Sequence, residues 1–475
     1  MSYDMIDIAQ RVLRTNGFDP ELPADLTVGL PAHDPVDGVL DLRELAWSSI
    51  DNEESRDLDQ IEYAEQLPQG RTRVLIGIAD VDALVPRDSK IDRHAAVNTS
   101  TLYTGVAIFP MLPELLSVDR TSLLPRVDRL AVVTEIVVNA DGSLDDNATK
   151  IYPARVRNHA KLVYESVGAW LEGHDSTKHD PVIEGQLRIQ DGAAQKLRAL
   201  RYQHGALDFE TIEANPVTRD GKVVDLVVQH KNRARQLIED LMIAANGATA
   251  RYLERAGFSS IRRVVRAPKR WDRIIELAAE LDWKLPPEPN AKALADFMTA
   301  RHAKDPDHFA DLSLSIVKLL GPGEYVLQRA TDLDMGHFGL AVDDYAHSTA
   351  PNRRYPDLIT QRLLKACAAK AKPPYTDAEL TELAAHCTER ENAARKVERT
   401  MRKVAAASLL SDKIGQEFDA IVTGVNKSGT FARLLHPPAE GRIVDGERGL
   451  DVGEKIRVRL LDTEVQKGFI DFARV

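Results

Sequence analysis

Hydrophobic positions first recur at helical spacing in MSYDMIDIAQRVLR, where Ile6, Ile8, Val12 and Leu13 form the apolar side and Asn16-Gly17 supplies a stop. A Pro-rich connector then runs to about residue 40, so residues 1–40 are expected to form a small helical module, of which a helix-turn-helix is one form. From Val74 the period changes. The runs VLIGIADVDALV, STLYTGVAIF and RLAVVTEIVVNADGSL predict strands, and Asp141-Gly142 predicts the turn that closes a hairpin. Beyond residue 230 helices take over. In RARQLIEDLMIAANGATARYLERAG, Leu237, Leu241, Ala244, Ala248 and Tyr252 fall at three- and four-residue spacing, and Gly257 ends the run. From Gly415 short strands separated by Gly and Asp turns, EFDAIVTGVNKSGTFARLL, GRIV and EKIRVRLLDTEVQKGFIDFARV, predict a small closed five-stranded barrel. The class is therefore α+β in three units, residues 1–40, 41–410 and 411–475.

A chain of 475 residues exceeds what one hydrophobic core usually serves, in keeping with several units. No apolar run reaches the roughly 18 to 20 residues that a membrane helix needs. The amino terminus lacks the order of basic flank, apolar stretch and small-residue cleavage site of a secretory signal, so a cytoplasmic protein with no membrane partner is expected. Cys367 and Cys387 are too few for a disulfide framework and match no zinc spacing, so they read as packing residues. The net charge of −11 argues against a protein that coats nucleic acid with its whole surface. A local basic channel stays open, with clusters at Lys150–Lys161, at Arg262–Arg273 and around Arg353, Arg354 and Arg362, as does their reading as ordinary solvated faces.

Small barrels of this kind commonly bind single-stranded nucleic acid through exposed aromatic and basic residues on one face. Phe418, Lys427, Phe431 and Arg433 are the candidates, and filling of the barrel is the alternative for both rings. The segment SSIDNEESRDLDQIEY concentrates Asp51, Asp57 and Asp59 within nine residues. Clustered carboxylates repel one another, and a hard divalent cation such as magnesium removes that cost through carboxylate oxygens while leaving positions for water and phosphate. Such an ion can lower the pKa of a water and stabilise a leaving oxygen. Spacing alone leaves an acidic surface loop equally open.

Motifs spread along the chain bear on that choice. Asp51-x5-Asp57-x-Asp59, IADV at Ile78, TSTLY ending at Tyr103, FPMLPELLS from Phe109 and SLLPRVDRLAV from Ser122 together resemble the catalytic RNB domain of the ribonuclease II/R family. LDFE at Leu207, LIEDLMIAAN at Leu237, LQRA at Leu327, HFGLA at His337, HSTAPNRRYPDL at His347 and HCTERENAARKVER at His386 resemble it in the same order. The likeness covers roughly residues 45–405, and the terminal barrel is similar to the S-one-type RNA-binding domain, an OB fold, that follows RNB domains.

The resemblance implies that Asp51, Asp57 and Asp59 hold magnesium and position the attacking water. It also implies that Arg353 supports the scissile phosphate beside Arg354, and that Glu398 belongs to the same site. Tyr103 and Phe209 match positions whose rings clamp the terminal bases; Tyr164 and Glu239 match positions linked to the sugar, where a carboxylate can accept from the 2′-OH that DNA lacks. Bland readings stand beside these: an arginine pair facing Asp343 and Asp344, an i,i+4 pair of Glu398 with Arg402, a solvated face for Glu239 and core packing for the rings. One position departs from the family. Its aspartate run usually ends in two adjacent aspartates, whereas Gln60 follows Asp59 here; a glutamine can offer a carbonyl oxygen to a cation but carries no charge. The expectation is a magnesium-dependent exoribonuclease that trims single-stranded RNA, including 3′ overhangs, from the 3′ end to nucleoside 5′-monophosphates. A catalytically silent RNA-binding protein and a DNA nuclease are the alternatives.

Overall fold

A computed structural model describes residues 4–31, 34, 38–175, 178–210, 214–219, 222–228, 231–332, 335–426 and 428–475. The chain opens with α1 (Met5–Thr15), whose first amides at Ile6 and Asp7 are capped by the Asp4 carboxylate. Then come β1 (Leu40–Asp41), β2 (Ser48–Asp51), β3 (Gln60–Gln66), β4 (Thr72–Ala79), α2 (Lys90–Asn98), β5 (Leu102–Tyr103), β6 (Ile108–Phe109), β7 (Asp128–Val138), β8 (Lys150–Arg157) and β9 (Ala160–Val163). A mostly helical stretch follows, with α3 (Tyr164–Leu171), α4 (Pro181–Gln203), β10 (Ala214–Arg219), β11 (Lys222–Val228), α5 (Arg233–Arg255), β12 (Ser260–Val264), α6 (Trp271–Glu280), α7 (Ala291–Lys304) and α8 (Pro306–Leu320). It ends in β13 (Glu324–Gln328), α9 (Tyr355–Ala368) and α10 (Asp377–Leu410). Strands β14 (Glu417–Asn426), β15 (Gly429–Leu434), β16 (Glu440–Asp445), β17 (Lys455–Glu464) and β18 (Phe469–Arg474) close into a barrel in the order β14-β15-β16-β18-β17.

The central sheet runs β1-β8-β7-β4-β3-β2-β9 and is covered on both faces. Alternation along β4 shows why. Val74, Ile76 and Ile78 pack with α3, α4 and α5 through Val167, Leu187 and Leu241, while Leu75 and Ala79 pack with Leu358 and Leu363 of α9. On β3 the same alternation sends Ile61 to the α9 side and Ala64 to the α4–α5 side. The Asp141-Gly142 turn is present, and Gly142 has φ +90°; a Cβ there would lie 2.2 Å from the Lys196 carbonyl, so only glycine lets the turn lie against α4. Gly257, at φ +77°, follows the end of α5 as expected.

Two expectations change. Among the described residues of 1–40 there is one α-helix and one short 3-10 turn, Ala24–Thr27, and no second helix of a helix-turn-helix. Met5, Ile8, Ala9 and Leu13 of α1 share a core with Val397, Met401 and Val404 of α10 and with barrel residues such as Val458 and Phe472, so the segment is built into the rest of the fold. Ile8, Val12 and Leu13 lie on the packed side as expected, whereas Ile6 is exposed and Met5 and Ala9 complete the buried stripe. STLYTGVAIF forms only the two-residue strands β5 and β6, joined through Gly105 at φ +77°.

The basic clusters are largely consumed within the fold. Arg155 and Arg157 pair with Asp128, Arg262 and Arg263 are buried, and Arg362 pairs with Asp82 and Asp92. In the barrel Phe418 packs against the shared core, Phe431 is half-buried and Arg433 pairs with Asp311 of α8; Lys427 lies outside the described residues. The exposed ring of the barrel is Phe469, which sequence reading passed over. Both cysteines are free thiols. No described helix is long and apolar enough to cross a membrane.

Candidate active site

The aspartate segment is irregular backbone between β2 and β3, held from several sides. Leu58 is fully buried, its amide donates to Ser122 Oγ at 3.0 Å, and its carbonyl accepts from Leu123 N. Lys161 of β9 donates to the carbonyls of Glu53 and Ser55 at 2.7 and 2.6 Å, so one cation of the Lys150–Lys161 cluster fastens this loop. Leu58 enters the core, and Asp57 and Asp59 on either side of it line one pocket, as their two-residue spacing predicts.

One pocket of about 320 Å³ is lined by Asp51, Asp57, Asp59 and Gln60 together with Tyr103, Tyr164, Arg235 and Arg353. Asn52, Ser55, Ile238, Met242 and Thr349 complete its wall. Asp59 is 2% exposed; its oxygens accept from the Asn352 amide at 3.0 Å and from Arg353 Nε at 3.1 Å. Burial dominates over Arg353 and pushes its carboxyl up to about 7. Burial also raises the pKa of Asp51, at the end of β2, although Ser55 and Asn52 hydrogen-bond to it. Asp57 accepts from the Tyr103 hydroxyl at 2.8 Å. Tyr103 remains 40% exposed, so its ring face is available for stacking.

Arg353 is placed by α9 and its preceding loop. Asp357, in the first turn of α9 and fully buried, accepts from the amides of Thr349 and Ala350 at 2.8 and 2.9 Å and from Arg354 Nη2 at 2.7 Å. Thr101 N donates to the Arg353 carbonyl, which ties the same loop to the strand that carries Tyr103. The adjacent arginines therefore diverge: Arg353 faces Asp59, and Arg354 turns back onto Asp357 as N-cap of α9.

Of the residues expected from sequence, the pocket gathers Asp51, Asp57, Asp59, Gln60, Tyr103, Tyr164 and Arg353, and it does not gather Arg354, Phe209, Glu239 or Glu398. Phe209 packs at the edge of the cluster of Leu207, Trp271 and Phe297. Glu239 is exposed on α5, one face away from Ile238 and Met242, and Glu398 is half-buried along α10. Sequence reading missed Arg235. Its guanidinium stacks 4.3 Å over the Tyr164 ring and donates to Asn52 Oδ1 at 3.0 Å and Glu165 Oε1 at 2.7 Å. The available signal was helical: Arg235, Ile238 and Met242 lie at three- and four-residue spacing along one line of α5.

An anionic, oxygen-only donor set that opens to solvent suits a hard divalent cation. As they stand, no three acidic, His or Cys side chains among the described residues converge on one ion position; Asp59 is engaged by Arg353 and Asp57 by Tyr103. The donors fit such an ion by chemistry.

The family model for the RNB domain matches residues 39–370, and that for the RNase II-type exonuclease C-terminal S1 domain matches residues 416–475. The chain is 31% identical over 428 residues to Ribonuclease R of Vibrio parahaemolyticus, covering 86% of this chain and 50% of that protein. To Ribonuclease R of Escherichia coli it is 30% identical over 450 residues, covering 90% and 54%. It thus spans about half the length of the curated relatives it matches. The structure superposes on Mycoplasma genitalium RNase R in complex with ribose methylated single-stranded RNA with a TM-score of 0.89 at 24% identity, covering 99% of this chain and 78% of that one.

Proposed function

The chain belongs to the RNB-domain family of ribonuclease II/R, and from that premise we propose that it is a 3′→5′ exoribonuclease acting on single-stranded RNA in the cytoplasm, a compartment in keeping with its two free thiols. The observation that carries this reading is the meeting of Asp51, Asp57 and Asp59 with Arg353 and two tyrosine rings in one pocket, although the arginine and the aspartates are about 300 residues apart in sequence. Water adds to the phosphorus of the terminal phosphodiester and the bond to the 3′-oxygen of the preceding nucleotide breaks. The products are a nucleoside 5′-monophosphate and an RNA one residue shorter with a free 3′-OH. Asp51, Asp57 and Asp59 would hold a magnesium ion, which would supply charge neutralisation and lower the pKa of the attacking water. Arg353, whose terminal guanidinium nitrogens extend beyond its Nε contact with Asp59, binds the phosphate and opposes the charge that grows there. Tyr103 stacks on a base, and Tyr164, held by Arg235, borders the sugar.

A second reading, an RNA-binding protein without cleavage, is favoured by the neutral Gln60 in the pocket. Digestion of 3′-single-stranded RNA and of DNA side by side with magnesium separates the readings. Stepwise release of mononucleotides from RNA alone, lost by about 10²–10³-fold or more in Asp59→Asn, is expected. Binding without cleavage supports the second reading, and equal cleavage of DNA overturns the substrate assignment.

A further inference from the structure

Glu62 is the most anomalous side chain near the pocket. It is fully buried, and neither carboxyl oxygen has a hydrogen-bond partner. An unpartnered buried carboxyl is costly, and a chain that needed only packing at position 62 would be better served by an apolar residue.

Its place in the sheet links it to the pocket. Glu62 and Gln60 stand two residues apart on β3 and so project from the same face, the one covered by α4 and α5, with Cα atoms roughly 7 Å apart. Gln60 lines the pocket, and Glu62 is one step deeper, opposite Ser48 of β2, whose hydroxyl is also buried without a partner. The charge of Asp51, which lines the pocket, reaches Glu62 and adds to burial in holding its carboxyl well above the ordinary range. The wall of the pocket thus has a neutral amide at position 60 and, immediately beneath it, a carboxyl with no hydrogen-bond donor among the described residues.

We propose that Glu62 is a fourth acidic member of the divalent-cation site, its carboxyl set one step deeper on Gln60's face and supplying, once a cation is bound, the negative charge that position 60 lacks. This rests on the cation-dependent reading above. Gln60 is next to Glu62 on that face and lines the pocket, so its amide is suited to relay the interaction, its oxygen offered to the ion and its NH₂ to the Glu62 carboxyl.

Binding of Mn²⁺ to the full chain, followed by calorimetry or by the loss of the free-ion resonance signal, tests this without recourse to activity. Glu62→Gln and Glu62→Leu are expected to weaken Mn²⁺ binding by about 10-fold or more while the thermal melt is retained. Gln60→Asp placed on Glu62→Gln is expected to recover it, because the charge returns one step nearer the ion. Unchanged Mn²⁺ affinity in a folded Glu62 variant, or a loss that Gln60→Asp does not repair, overturns the role of Glu62. A wild-type chain that binds no Mn²⁺, or binds it equally well as Asp59→Asn, overturns instead the cation site on which the inference is built.

Discussion

Asp128 and Asp59 belong to the same sheet layer and have opposite surroundings. Asp128, at the start of β7, accepts from Arg43 at 2.9 Å and from Arg157 at 2.8 Å and pairs with Arg155 at 3.0 Å. Burial works to raise its pKa, but Arg157 and Arg43 outweigh it and the carboxyl is held low. Asp59 has one guanidinium and one backbone amide, and burial carries it up to about 7. Where a carboxylate serves the fold alone, the chain supplies its neutralising charge. Around the pocket the carboxylates are under-neutralised, and burial raises Asp51 and Glu62 as it does Asp59, as the proposed cation site requires.

The sharpest test of the contrast is pH. Asp59 takes up its proton more readily folded than unfolded, so its contribution to stability is fully present below its unfolded value of 3.8 and is lost as pH rises to about 7, a change of about 4 kcal/mol at most. Asp128 has the reverse sign: its contribution is present above 3.8 and is lost as pH falls through its depressed folded value. Urea unfolding against pH in a chelator should show the descending limb flattened in Asp59→Asn and the acid limb flattened in Asp128→Asn. Identical limbs in both variants would erase the distinction.

A smaller effect is expected where the two kinds of environment meet. Asp357 satisfies two amides and Arg354, so Asp357→Ala leaves buried donors unmet and should cost about 3 kcal/mol in unfolding while displacing Arg353 and lowering turnover. Full activity in a destabilised Asp357→Ala would show that the loop before α9 does not position Arg353. The smallest effect belongs to the redundant cluster. Arg155→Ala leaves Asp128 with Arg43 and Arg157 and should change stability by less than about 1 kcal/mol, with RNA cleavage unaltered. A large loss there would mean that the cluster is not over-neutralised.

Local pattern alone determined a good part of this protein. Period-two and helical spacings located β4, β7, α5 and the barrel strands, and Gly142 and Gly257 marked their ends, while the cation and phosphate site was suggested by the family resemblance and not by local spacing. These features are legible because each depends on neighbours within a turn or a strand. Tertiary structure decided which candidates share one pocket. Arg353 meets Asp59 across 294 residues and Arg235 meets Asn52 across 183, contacts set by how α9 and α5 lie on the sheet. The same packing turned Arg354 onto Asp357, left Phe209, Glu239 and Glu398 outside the pocket and joined α1 to α10 and the barrel. The want of a partner for Glu62 was invisible in sequence for the same reason, since burial and the lack of a donor are properties of what packs around a residue and not of the residue itself.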